Sequence, residues 1–598
     1  MTAEAMAAAE RTVERAADPA PEPVLAEYPR PQLVRDSYLN LNGVWRYAIT
    51  HADGPPVQWD GDILVPFSPE SERSGVGRSL EPGAHLWYER ELVLPDGFLQ
   101  DRVLLHFGAV DQDCVVFVDG REVGRHVGGY LPFTCDITEA VGGGGSHVLR
   151  VEVTDDSDAG YASRGKQALK PGGIWYTPQS GIWQTVWLES VPAVHVTSLD
   201  VRPCLSDAAA EVVVHLGGGD ADIEVVLTAD GEPVARASGR SGELLRLELA
   251  SVRPWSPEDP FLYDLDIRAG EDRVASYLGM RSVTMEPDAD GRPRLMLNGA
   301  PYFHAGVLDQ GYWPDGLYTA PSDEALVRDI LAMKELGFTM LRKHIKIEPL
   351  RWYYHCDRLG MLVWQDLVNG GRRYHPLVIT APVLLPIRLD DRRHRAFGRQ
   401  DAAGRAAFRA ELDATVRLLR NHPSVAVWVP FNEGWGQFDA LDAVERIRAL
   451  DPDRLIDHAS GWHDQGGGDI RSLHVYFRRI RARRSWGRDG RTVAVSEYGG
   501  YSLRLAGHEH SEREFGYRRY RSIAALTAAF VRLHRREVLP AIASGLSAIV
   551  YTQLSDVEDE LNGLLTADRS VSKVDPGAVR AVNVELAAAY ARAASRRG

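Results

Sequence analysis

The chain has 598 residues, 44% of them hydrophobic and 25% charged, which gives ample apolar material for several packed cores and no bias toward disorder. Its 68 basic and 83 acidic side chains leave a net charge of −15, which argues against a nucleic-acid or anionic-membrane partner, because both need a surplus of Lys and Arg on one face. The four cysteines, Cys114, Cys135, Cys204 and Cys356, show no metal-type spacing and are too few for a disulfide framework, so they read as reduced core thiols.

Residues 1–35 predict a disordered or Pro-rich lead-in, since Pro19, Pro21, Pro23, Pro29 and Pro31 stop any long helix. This segment lacks the apolar run of a signal peptide, and no later stretch has the ~18 apolar residues of a membrane helix, so the expected setting is the cytoplasm. Residues 36–191 carry short alternating or apolar runs broken by Gly, Asp and Pro (VWRYAI, LWYERELVL, CVVFVDG, HVLRVEV, TVWLESV), the texture of a jelly-roll-like β-sandwich. Asp119-Gly120 marks a hairpin, with glycine supplying positive φ. Trp175, Tyr176, Trp183 and Trp187 cluster around glycines, where such aromatics either stack on a sugar or pack against a neighbouring domain. Residues 192–285 have weaker, more polar strands and fit a small immunoglobulin-like β-sandwich, with Trp255 fixing a loop before its strand at Phe261–Ile267.

From residue 286 to 598 apolar strands alternate with helical stretches, the pattern of a (β/α)8 TIM barrel. Eight strand candidates can be counted, beginning with Tyr302–Val307 and ending with LSAIVYTQL. The first helix should start at Ser322 and stop at Gly337, and others are expected over Leu350–Leu359, Ala402–Arg420, Phe438–Leu450 and Arg513–Arg536. Such barrels carry their reactive groups at the C-terminal ends of strands. Those ends hold Asp309; Arg342, Lys343 and His344; Gln365 and Asp366; Asn432 and Glu433; Asp457 and His458; His474 and Tyr476; Glu497; and Gln553 and Asp556.

Glu433 and Glu497 stand out because each follows a strongly apolar strand, which would not deliver an ionised carboxylate to its end for packing reasons. Aimed into one pocket, two carboxyls ~5–5.5 Å apart support a retaining double displacement. A salt bridge to a barrel Arg such as Arg342 is the competing, purely structural use of either.

Beyond these residues, SGIWQTVWLE (Ser180–Glu189), WSPEDPFLYDL (Trp255–Leu265), LNGAPYFHAGVLDQGYWPDG (Leu297–Gly316), NHPSVAVWVPFNEGWG (Asn421–Gly436) and SEYGG (Ser496–Gly500) resemble family 2 of the glycoside hydrolases, the β-galactosidase and β-glucuronidase family. The resemblance runs from about Tyr38 to Asp575. It implies a sugar-binding role for the first sandwich, Glu433 as general acid/base and Glu497 as nucleophile. It further implies that Asn432 bonds the sugar 2-hydroxyl, that Tyr476 orients the nucleophile and that Arg342 keeps Glu497 ionised. Neither a metal nor an organic cofactor is implied.

The expected substrate is a terminal glycosyl residue, a galactoside first. An arabinofuranoside, a galactofuranoside or a uronide of the same family is the alternative, since RKHIKIEP and LDQGYW depart from the family's familiar text at the second and first strand ends; at the eighth, ELNGLLTADRS lacks the Asn-x-Lys motif by which glucuronidases of this family bind the uronate carboxylate, which counts against a glucuronidase. Readings of other classes are a non-catalytic carbohydrate-binding protein and a metal-assisted hydrolase. Candidate sugar contacts are His344, Asp309, Trp313, Trp364, Asp366, Trp435, Trp462 and His474, because hydroxyls want fixed polar partners and sugar faces want aromatics. The arginine run at Arg478–Arg491 either selects an anionic substrate or is a solvated loop, and His508-Glu509-His510 lacks a third metal ligand nearby. A homo-oligomer is left open.

Overall fold

The alternating runs before residue 192 pair into two antiparallel sheets in the computed structural model, which describes residues 24–595 apart from Pro386 and Arg484. One sheet orders Tyr38–Asn40, Val186–Val191, Arg102–Phe107 and Phe133–Asp136. The other orders Gly61–Val65, Gly43–Thr50, His85–Val93, Ser146–Thr154, Asp113–Val118 and Arg121–Val127. Their inward residues, among them Trp45, Leu86, Leu105, Val116 and Val151, form one core. Asp119 and Gly120 both take positive φ in the hairpin between the last two strands, as a tight turn of that hand requires.

The second unit is a three-stranded sheet facing a four-stranded one around Val212, Leu227, Ile267 and Val274. Trp255 does more than fix a loop. It is fully buried, and its indole N–H donates to the Asp357 carbonyl at 2.7 Å, tying this sandwich to the barrel.

The lead-in departs from expectation. Its first 23 residues lie outside the described residues, but from residue 24 it is strapped along the sandwiches. Arg30 and Arg35 bond Glu189, Arg35 also bonds Asp272, and Val34 exchanges backbone bonds with Ala275. Two cations that need a buried counter-charge outweigh proline's dislike of regular structure.

All eight barrel strands appear in order: β1 His304–Asp309, β2 Met340–Lys343, β3 Leu362–Asp366, β4 Val425–Val429, β5 Leu455–Ile456, β6 Ile470–Val475, β7 Thr492–Gly499 and β8 Leu546–Thr552. They form one parallel sheet ordered β5-β4-β3-β2-β1-β8-β7-β6, nearly closed, with its two ends at β5 and β6. The barrel interior packs Leu308, Met340, Leu362, Trp364 and Val550 against Val283, Leu295 and Leu297 from the preceding hairpin, which plugs the bottom.

Helix starts follow the capping residues: Ser322 Oγ accepts from the Ala325 N–H before α1 (Asp323–Glu335), and Asp401 accepts from Gly404 N–H before α2 (Ala402–Leu419). The helix expected over Arg513–Arg536 is shorter at its start. Ser522 caps α3 (Ile523–Leu533), while Arg518–Tyr520 is a short strand paired with Tyr501–Leu503. No helix among the described residues is long and apolar enough to cross a membrane.

Candidate active site

Arg342, at the end of β2, is the hub. Its side chain is fully buried, and its guanidinium makes two bonds to Asp366 (2.9 and 3.0 Å), one to Glu497 Oε1 (3.1 Å), one to the Ser496 carbonyl (3.1 Å) and one to Asn432 Oδ1 (2.9 Å). A planar fork with five donors suits this task, and the carboxylates balance its charge. Because Asn432 Oδ1 faces Arg342, its Nδ2 is left buried without a protein partner, a fixed donor awaiting an acceptor.

Glu433 and Glu497 come together. Glu433 has φ +49, an unusual value for a non-glycine residue, and is held there by its N–H bond to the Ser460 carbonyl at 2.8 Å. Its Oε1 lies 2.7 Å from His474 Nδ1, while His474 Nε2 sits 3.6 Å from Glu497 Oε1 and 3.1 Å from Ser460 Oγ. One ligand atom from each of Glu433, His474 and Glu497 falls within 4.8 Å of the other two. Tyr476 OH donates to Glu497 Oε2 and stacks on Tyr517, ring centroids 3.9 Å apart. The imidazole can lie this close to the β5 loop because residue 461 is glycine, at φ +91. A Cβ there would meet the His474 ring at 2.7 Å.

The two carboxyls sit in opposed environments. Burial pushes Glu433 above the ordinary carboxylate range, helped by the neighbouring charge of Glu497 and opposed by the bond from His474. Burial acts on Glu497 too, but His474, Arg342 and the Tyr476 hydroxyl outweigh it and hold it below that range. A carboxyl pushed toward its protonated form beside one pushed toward its ionised form is the direction of tuning that retaining glycoside cleavage needs. Glu433, His474 and Glu497 also form the one metal-type cluster found among the described residues, although their mutual contacts already use His474 on both faces.

The remaining sequence candidates divide. His344 Nδ1 bonds Asp366 at 2.8 Å, burial holds this histidine neutral, and its ring meets Trp435 edge-on at 6.2 Å. Trp462 packs beside His474 at 5.4 Å, its indole N–H without a protein partner. Asp309 and Trp364 are corrections. Asp309 spends its carboxylate on Lys343 Nζ (2.6 Å) and the Gly311 N–H (2.9 Å), in an ion-pair network with Glu348. Trp364 is wholly buried in the barrel core and donates to His304 at 3.0 Å, so it offers no face to a ligand. Trp313 lies under Arg569, 4.2 Å from ring centroid to guanidinium carbon. The end of the arginine run is packed and paired within the protein. Trp486 is buried in the barrel's outer core, and Arg491 pairs with Asp464 and Asp489. His508 bonds Asp568.

Of the two uses the sequence leaves open for the glycine-spaced aromatics, the structure shows packing against a neighbouring domain. A loop of the first sandwich docks on the β3 end, where Arg164 N–H and Gly165 N–H both donate to the Asn369 carbonyl (3.0 and 3.1 Å). Trp175 then packs on Trp435 (5.2 Å) and Tyr374 (6.2 Å), Tyr176 OH bonds Glu560, and Lys166 reaches the mouth. Of the four aromatics in that stretch, Tyr176, Trp183 and Trp187 are all buried. The glycine-spaced aromatics were the available signal. Tyr517, absent from every strand end, carried none.

The class of architecture is thus two β-sandwiches followed by a parallel barrel, with two unlike carboxyls at the barrel mouth beneath a loop of the first sandwich. Three family descriptions match in succession: "Glycosyl hydrolases family 2, sugar binding domain" over residues 78–192, "Glycosyl hydrolases family 2" over 194–281 and "Glycosyl hydrolases family 2, TIM barrel domain" over 319–481. The chain belongs to glycosyl hydrolase family 2. It is 24% identical over 405 residues to a putative beta-glucuronidase of Formosa agariphila, covering 65% of this chain and 35% of that protein. To the beta-glucuronidase of Rattus norvegicus it is 24% identical over 424 residues, covering 63% and 59%. The chain thus spans about a third and about three fifths of these two relatives. Its fold superposes on the beta-galacturonidase of Eisenbergiella tayi with a TM-score of 0.68 at 19% identity, over 94% of this chain and 98% of that one.

Proposed function

We propose that the protein is a retaining, exo-acting glycoside hydrolase whose substrate is a β-linked uronide. The observation that carries the reaction class is the Glu433–Glu497 pair, within 4.8 Å through their oxygens and shifted in opposite directions, Glu433 up by burial and Glu497 down by His474 and Arg342 against burial. Glu497 attacks the anomeric carbon as the glycosidic C–O bond breaks, and Glu433 gives its proton to the departing oxygen. Glu433 then takes a proton from the water that attacks the same carbon and releases Glu497, so configuration is retained. The buried Nδ2 of Asn432 donates to the sugar 2-hydroxyl, Tyr476 orients the nucleophile and Arg342 keeps it ionised. The names of the relatives favour a uronide over the galactoside expected from sequence.

The test separates the two carboxyls. Glu433→Ala should retain turnover of a dinitrophenyl glycoside, whose leaving group needs no proton, and azide should accelerate it, while Glu497→Gln should be inert on every substrate. Equal loss in both variants without azide rescue would contradict the assignment. Activity should withstand EDTA; loss reversed by a divalent ion would instead favour a metal held by Glu433, His474 and Glu497.

A further inference from the structure

Lys166 is a cation near the mouth whose one carboxylate contact among the described residues is long. It is only 5% exposed, yet among the described residues its ammonium makes no hydrogen bond. Its nearest carboxylate oxygen, Glu560 Oε2, is 3.9 Å away and already accepts from Tyr176 OH and from Gln553 Nε2 at 3.3 Å. Otherwise the ammonium faces rings, 5.2 Å from the Tyr176 centroid and 5.8 Å from that of Trp435, two residues beyond Glu433. Its three donors, taken by no protein group among the described residues, are open to an acceptor that arrives with the ligand.

We propose that Lys166, delivered to the barrel mouth by the first sandwich, binds the carboxylate of the uronic acid sugar and sets the enzyme's preference for it over the uncharged hexoside. This rests on the uronide reading above. The two docking bonds from Arg164 and Gly165 to Asn369 fix the loop against the β3 end, so the lysine is positioned before substrate arrives. The electrostatics agree. The charge of Lys166 pulls both Glu433 and His344 downward, which works against an acid that must hold its proton. A substrate carboxylate on Lys166 cancels that pull when the proton is needed.

The experiment compares substrates that differ only at C6: 4-nitrophenyl β-D-glucuronide against β-D-glucoside, and β-D-galacturonide against β-D-galactoside. Wild type, Lys166→Met and Lys166→Arg are assayed for kcat/KM on each. Wild type should prefer the uronic member of one pair. Lys166→Met should reduce that preference by about 100-fold, the scale of one charged hydrogen bond, and Lys166→Arg should keep part of it. A misfolded fraction lowers both members of a pair alike and leaves the ratio intact, and Lys166→Gln substitutes if the methionine variant does not fold. A wild-type uronide preference that survives Lys166→Met overturns the role of Lys166 and leaves the uronide reading standing. A wild type that prefers the uncharged members overturns both.

Discussion

Arg342 explains why two neighbouring glutamates need not share one protonation state. It bonds Glu497 and not Glu433, so the positive charge is spent on one member of the pair while burial acts on both. The pH dependence follows with its sign. Glu497 must be ionised, and its lowered pKa puts the loss of kcat/KM on the acid side below the ordinary carboxylate range. Glu433 must be protonated, and its raised pKa puts the alkaline decline above that range. A pH–rate profile of wild type checks both limbs. Replacing Glu497's hydroxyl partner, Tyr476→Phe, should lower kcat by about 100-fold, as removing one donor to a reacting oxygen does, without a comparable rise in KM. At this scale the gathering of the two glutamates, Asn432 and Tyr476 at one barrel mouth was legible, because polar residues ending apolar strands have few structural excuses. Asp309 and Trp364 were misread because sequence places a residue near a strand end without saying which way it faces. Asp309 sits in the Lys343–Glu348 network and Trp364 in the barrel interior.

Among the elements, the segment between β5 and β6 decides whether His474 can stand between the two carboxyls. Gly461→Ala puts a Cβ 2.7 Å from the His474 ring and asks a non-glycine residue to hold φ +91. Displacing the imidazole should cost about 100-fold in kcat with circular dichroism unchanged, since a shift of about 1 Å in a positioning group has that effect. Alternating β and α periodicity revealed all eight strands. It failed between Arg513 and Ser522, where arginine-rich text has no apolar face to separate a helix from the observed short strand. The sandwich loop that roofs the mouth could not be read either. Its function comes from docking on Asn369, a contact between residues some two hundred positions apart.

For the molecule as a whole, one buried charge cluster joins three parts of the chain. Glu189 in the first sandwich receives Arg30 and Arg35 from the lead-in, and Arg35 also grips Asp272 in the second sandwich. Glu189→Ala would strip Arg30 of its carboxylate and leave Arg35 with Asp272 alone, at a cost of about 3–5 kcal/mol. The first thermal transition should fall by several degrees, while Glu139→Ala, at the exposed pair with Arg121, should move it little. Composition and strand texture revealed the order of sandwich, sandwich and barrel. They could not reveal that the proline-rich lead-in is clamped between them, because its anchors lie far apart in sequence. The account's central claim is the division of roles between Glu433 and Glu497. A 2-deoxy-2-fluoro glycosyl fluoride of the uronic sugar chosen by the hydrolysis assay, followed by peptide mass spectrometry, tests it most directly. The account predicts one covalent label, on Glu497; a label on Glu433, or turnover with inverted configuration and no label, would contradict it.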